Sequence, residues 1–209
     1  MELTKALMVV AVVAVVLSAV NLYGIADRSA RIHGYAESDT GPVDVIVETS
    51  ASIEFVAGSD AIDWGTGHVD TSGAATYAVL DTVGPTYVTD WVETVAGSVS
   101  GGLVLRNIGN TEVSVELESN RDAATFIGGT HDQLFQWMIS ENEAGACAGT
   151  LGDTSWTDVA VGTPSVICDD LLDIPDGTDE LLIDLQVNVP DDAPAEAKSS
   201  IITATATAV

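Results

Sequence analysis

Basic residues are scarce in this chain: six Lys plus Arg stand against 32 Asp plus Glu, a formal net charge of -26 over 209 residues. Affinity for nucleic acid comes largely from Lys and Arg displacing condensed counterions, so DNA and RNA are excluded as partners. Cysteine is nearly absent, and Cys147 and Cys168 form no CxxC pair of the zinc or redox kind. The three histidines, His33, His68 and His131, are far apart, and none has a second His at metal-ligand spacing. There is no HExxH, no GxSxG elbow and no P-loop. The Gly101-Gly102 and Gly128-Gly129 pairs lack the Lys and the following helix that a phosphate cradle uses. No Asn-x-Ser/Thr sequon occurs either, so N-glycosylation is not expected. The chain therefore carries no catalytic signature, and a non-enzymatic role is expected.

What is present begins with an uncharged run of 21 residues, Ala6 to Ala26, preceded by Lys5 and followed by Arg28 and Arg31. At about 1.5 Å per residue this run can cross a bilayer as a helix, with Ala6, Val13, Leu17 and Leu22 on it. Three fates share this sequence. The run is a signal peptide cut after Ala26 or Ala36, an uncut anchor, or a pilin-like segment processed between Lys5 and Ala6. The count of positive charges on the two flanks does not decide orientation. Residues 1–36 are read as this export or membrane segment with its linker, and 37–209 as one extracellular domain.

Acidic residues run from Glu37 to Glu196 without forming a tail, so the charge belongs to the whole surface. Self-repulsion on such a surface opposes compaction in dilute buffer, whereas molar salt screens it within about 3 Å. The body is read as salt-adapted, since its 46% hydrophobic content and clear alternation argue against disorder. Cys147 and Cys168, an even count in a chain with an export segment, predict a disulfide.

Alternation with period two marks candidate strands at 42–48, 51–57, 75–81, 102–107, 112–119, 124–128 (ATFIG), 134–140, 180–189 and 199–208. No stretch after residue 40 has helical periodicity, so the class is all-β: a two-sheet antiparallel sandwich, Ig-like or jelly-roll, behind an N-terminal hydrophobic helix. The most regular piece, GGLVLRNIGNTEVSVELES, predicts a hairpin turning at Asn107 to Asn110, with Leu103, Leu105, Val113, Val115 and Leu117 inside. Glu112, Ser114, Glu116 and Glu118 then face water. In 180–189, Ile183, Leu185, Val187 and Val189 are expected inward and Asp184, Gln186 and Asn188 outward. The four tryptophans are expected to anchor the core.

This hairpin, together with AIDWGTGHVD, the N-terminal apolar segment and the closing VPDDAPAEAKSSIITATATA, resembles a group of archaeal surface proteins. More distantly the chain is similar to the TasA and camelysin family of secreted β-sandwich proteins. That resemblance implies fibres in which a strand of one subunit completes the sheet of the next. The donor would be PVDVIVETSASIEF, with Val43, Val45, Val47, Ile53 and Phe55 as its apolar residues. No protease activity is implied, because HExxH is missing.

The best site candidate is CDDLLDIPDGTDE, where Asp169, Asp170, Asp173, Asp176 and Asp179 could supply the oxygens that calcium prefers. A solvated acidic loop competes with that reading, as it does for Asp60, Asp63 and Asp70 around Trp64. The expected function is a self-assembling structural subunit of a filament, pilus or envelope layer at the cell surface. A monomeric membrane-anchored adhesion module and a surface hydrolase with a dispersed metal site are the alternatives.

Overall fold

β11 (Glu180–Pro190), the longest strand, organises the larger of the sheets. The computed structural model describes residues 49–83, 88–98, 101–173 and 178–209, all inside the unit Val47–Val209. The residues proposed for the N-terminal helix, Ala6, Val13, Leu17 and Leu22, lie outside the described residues, as do Val43, Val45, Val47 and Asp176. Among the described residues no helix is long and apolar enough to cross a membrane.

The described architecture is all-β and antiparallel. Along one edge of β11, Leu181 to Asn188 pair with β8 (Leu134–Glu141). The other edge is divided: Glu180 to Ile183 pair with β6 (Leu103–Asn107), and Gln186 to Pro190 pair with β3 (Tyr77–Asp81). Outer members are β1 (Ile53–Phe55) on β6, β4 (Val88–Thr89) on β3 and β9 (Thr157–Asp158) on β8. A second sheet has the order β10 (Ser165–Leu171), β7 (Val113–Ser119), β12 (Ile202–Ala208). A two-stranded ribbon joins β2 (Thr66–Val69) to β5 (Trp91–Val95).

The alternation read in the sequence becomes one apolar cluster fed by both larger sheets. Leu181, Ile183, Leu185 and Val187 from β11 and Phe135, Trp137 and Ile139 from β8 join Val113, Val115 and Leu117 from β7. Ile167 and Leu171 of β10 complete it. Each such side chain contributes roughly 1.5–3 kcal/mol through removal from water. Of the tryptophans Trp137 is the buried anchor, and its indole N–H donates to Asp153 at 2.8 Å; Trp64, Trp91 and Trp156 are half-buried.

The expected hairpin at Asn107 to Asn110 does not form. Its facing pattern holds, but β6 and β7 belong to different sheets and the four residues are the corner between them. Neither Gly109 nor Asn110 takes a positive φ. Instead the segment before β1 crosses the corner, where the Ser52 carbonyl accepts from Ile108 and Gly109, and the Ser50 carbonyl from Asn110. A Cβ on Gly109 would overlap the Ser50 carbonyl oxygen, so the glycine is needed for close approach rather than for a turn. Asn107 is fully buried and fills the corner: its amide reaches the carbonyls of Thr111, Leu171 and Leu172, and its oxygen accepts from the Gly109 N–H at 2.9 Å.

Two further expectations change. ATFIG is helical rather than extended, because Asp122 and Thr125 make a reciprocal capping box at the start of α1 (Ala123–Phe126). Asp184 is buried, not solvated. It sits where β11 changes neighbour from β6 to β3, and accepts from the Thr82 hydroxyl at 2.7 Å while that hydroxyl accepts from the Leu185 N–H.

Candidate cation site

Carboxylates in this chain have two kinds of surroundings. Several at or near the surface hold turns: Asp60 accepts from the Gly58 N–H, Asp63 from Gly65, Asp70 from Ser72 and Asp81 from Val83. This answers for the acidic residues around Trp64, which are turn formers. The hydrogen bonds from Ser72 and Thr125 hold the carboxyls of Asp70 and Asp122 below their ordinary range.

The second kind is buried. Glu143, Asp179 and Glu180 bring carboxylate oxygens within 4.8 Å of one another, with Asp179 and Glu180 out of solvent and Glu143 partly so. β11 starts at Glu180, whose carbonyl accepts from the backbone of Asn142 and Glu143, so the loop after β8 is tied to the entry of β11. The Glu143 carboxylate in turn accepts from the Asp179 N–H at 2.9 Å. Glu180 uses one oxygen on Arg106, which donates from Nε at 2.7 Å and from a second guanidinium nitrogen, and the other on the Asn142 amide at 2.6 Å. Burial, then hydrogen bonding and repulsion from Glu143, push the Asp179 carboxyl above its ordinary range, and Arg106 only partly offsets this.

Three carboxylates share one guanidinium here, an arrangement that favours uptake of a proton or of a cation. A hard cation would meet Asp179 and Glu143 directly and would compete with Arg106 and Asn142 for Glu180. Of the aspartates suggested for calcium, only Asp179 joins this cluster. Asp169 and Asp170 lie on β10, and among the described residues neither they nor Asp173 belong to a group of three ligand-type side chains at metal-binding distance. Glu143 was not foreseen, because it reaches Asp179 only through the pairing of β8 with β11.

A second group lies at the surface. His131 Nδ1 is 2.9 Å from Asp191 and 3.8 Å from Asp192, and Asp192 also accepts from the backbone and hydroxyl of Thr130. Hydrogen bonding to Asp191 and the charge of Asp192 raise the imidazole above its ordinary value. His68 is exposed on β2 and joins no such group among the described residues, and His33 lies outside them.

The predicted disulfide is present. Cys147 and Cys168 are joined with Cα atoms 5.9 Å apart, and Cys168 is fully buried on β10. Bridges Cys147 to Leu171 and Leu151 to Cys168 flank it, so residues 147–151 lie along the outer edge of β10. Ile53 and Phe55 of the suggested donor strand are on β1, paired to β6 of their own chain and packed on the core. No known protein family, no curated protein and no solved structure matches this chain.

Proposed function

We propose that this chain is a non-enzymatic structural protein of the cell exterior, a subunit of a filament, pilus or envelope layer. The observation that carries the reading is the Cys147–Cys168 disulfide, built into a body whose charge is almost wholly acidic. Such cross-links persist in oxidising compartments, and an apolar export segment ahead of the body supplies the route there. We infer that the seven-stranded and three-stranded sheets are the two layers of an Ig-like or jelly-roll sandwich. Their shared apolar cluster and the β6 to β7 corner support that arrangement.

The described groove on this body is shallow, about 350 Å³, and lined by residues including Asp122, Gln133, Phe135 and Asp158. Its carboxylates are engaged, Asp122 in capping α1 and Asp158 with Gln136 at 2.7 Å, which supports a structural over a hydrolytic role.

The test is antibody labelling of intact cells and shed material in molar salt, read by electron microscopy, with intact mass of the purified chain. Label along filaments or across an envelope layer is the expected result. A start near Ala6 would mark a pilin-like subunit, and one near Asp27 or Glu37 a secreted one. Label confined to the cell interior would overturn the proposal.

A further inference from the structure

β12 is an outer strand of the three-stranded sheet, and among the described residues β7 is the one strand hydrogen-bonded to it, with β1 lying close by. Its other edge carries none of the devices that keep an exposed edge from pairing, which are charge, proline, a bulge or brevity. The whole stretch Ser199 to Val209 has no charged residue and no proline, in a chain of net charge -26. Its pairing with β7 runs through seven positions, Ile202 to Ala208, without a register shift, whereas β10 and β2 both show shifts. The remaining outer edges are managed. β10 is flanked by residues 147–151, β1 has three residues, β4 and β9 have two each, and β5 bears Glu93.

From Thr203 to Thr207 the side chains of β12 are symmetric about Thr205. Thr203, Thr205 and Thr207 point to water, while Ile202, Ala204 and Ala206 turn toward the core. Antiparallel pairing of two such strands about Thr205 places Thr203 opposite Thr207, and Ala204 opposite Ala206. It also places Ile201 opposite Val209. Those two residues are 63% and 72% exposed, and they are the large apolar side chains at the two ends of this strand. Both ends are held in line for it, Ile201 by Asn120 and Val209 by the Glu112 carbonyl.

We propose that β12 is a self-recognition edge: it pairs antiparallel with β12 of a second copy about a two-fold axis at Thr205, making one continuous six-stranded sheet. This deepens the structural-subunit reading and rests on it. The partner is a second copy because an uncharged edge is where two strongly acidic bodies approach with least repulsion. The carboxylates of the neighbouring strand, Glu116 and Glu118, sit on β7 opposite Thr205 and Thr203. Three strand spacings, about 14 Å, separate β7 from its counterpart across the axis. That distance exceeds the roughly 3 Å screening length of molar salt and is within the roughly 30 Å of dilute buffer. Pairing is therefore salt-promoted.

The test uses the full-length chain purified in molar salt, carrying Thr205→Cys. Residues directly opposite in an antiparallel pair have Cα atoms about 4.5–5.5 Å apart, within disulfide reach. The expected result is that the Thr205→Cys variant forms a disulfide-linked homodimer under mild oxidation. Thr203→Cys alone stays monomeric, but a mixture of Thr203→Cys with Thr207→Cys cross-links. Sedimentation of the wild type shows dimers that dissociate as salt is lowered, and Thr205→Asp, which sets two carboxylates face to face, shifts it to monomer by tenfold or more. Cross-linking equally fast at all three positions, or a wild type and Thr205→Cys that both stay monomeric, overturns the proposal. If label still marks filaments or a layer while Thr205→Cys stays monomeric, the edge is wrong and the structural-subunit reading survives. Monomers with no surface label sink both.

Discussion

β11 and β12 are both built by alternation, yet they hold the molecule in different ways. β11 has 11 residues, branched aliphatics on its inward face and partners along both edges. β12 has seven, with Ile202 and alanines inward and threonine outward, and among the described residues one hydrogen-bonded partner. The difference teaches that the fold's free energy is concentrated along β11, where apolar area is buried, whereas β12 contributes little packing and keeps an edge available. A strand that need not stabilise the core can be selected for what it presents.

The sharpest way to break this comparison is truncation on the two strands. Ile183→Ala, at a fully buried position of β11, is expected to cost about 2–5 kcal/mol in denaturant unfolding in molar salt. Ala206→Gly on β12 is expected to cost only about 0.5–1 kcal/mol. Equal effects would mean that the small sheet carries as much of the fold as the large one. Next in size is the cross-link. Replacing both cysteines by serine releases a loop with a separation of 21 positions, at an expected cost of about 3 kcal/mol in the same measurement. That loss would show that covalent closure at β10 adds to the packing both sheets share. Third, Asn107→Ala leaves the Gly109 N–H and the Leu171 and Leu172 carbonyls without their side-chain partner, and is expected to cost about 1–3 kcal/mol. Hydrogen exchange should then rise at the corner before it rises in β8.

The smallest effect concerns pH and separates the two kinds of carboxylate. The Asp179 carboxyl lies above its ordinary range in the fold, so the folded state binds the proton more tightly than the unfolded chain. Its contribution favours folding below the ordinary carboxylate range, is lost as pH rises through the raised value, and is flat above that. Asp70, Asp122 and Asp192 lie below their ordinary range and act with the opposite sign, losing stabilisation as pH falls. Denaturant midpoints against pH for wild type and Asp179→Asn should therefore diverge in favour of the variant as pH rises across the carboxylate range. A constant difference would remove Asp179 as the titrating group.

Much of the fold was legible because its main strands, β3, β6, β7, β8, β11 and β12, alternate cleanly. β10 was missed for a physical reason: SVICDDL contains two register shifts, so its buried Ile167, Cys168 and Leu171 break the period, and its two aspartates look like loop. The corner was misread because Asn-Gly has the composition of a turn. Whether it reverses a strand within one sheet or carries it into another depends on the segment around Ser50 and Ser52 that crosses it. The disulfide followed from counting, while the Glu143–Asp179–Glu180 cluster depends on strand register and leaves no local signal.

The position of β11 in the chain also fixes when this protein can become itself. Residues Glu180–Pro190 are synthesised after every strand they pair with, and β3, β6 and β8 have no shared sheet until they arrive. Pairing across such long separations in sequence forms slowly. The larger sheet thus cannot close until β11 is made, and this one strand acts as the latch that joins three earlier strands into one layer.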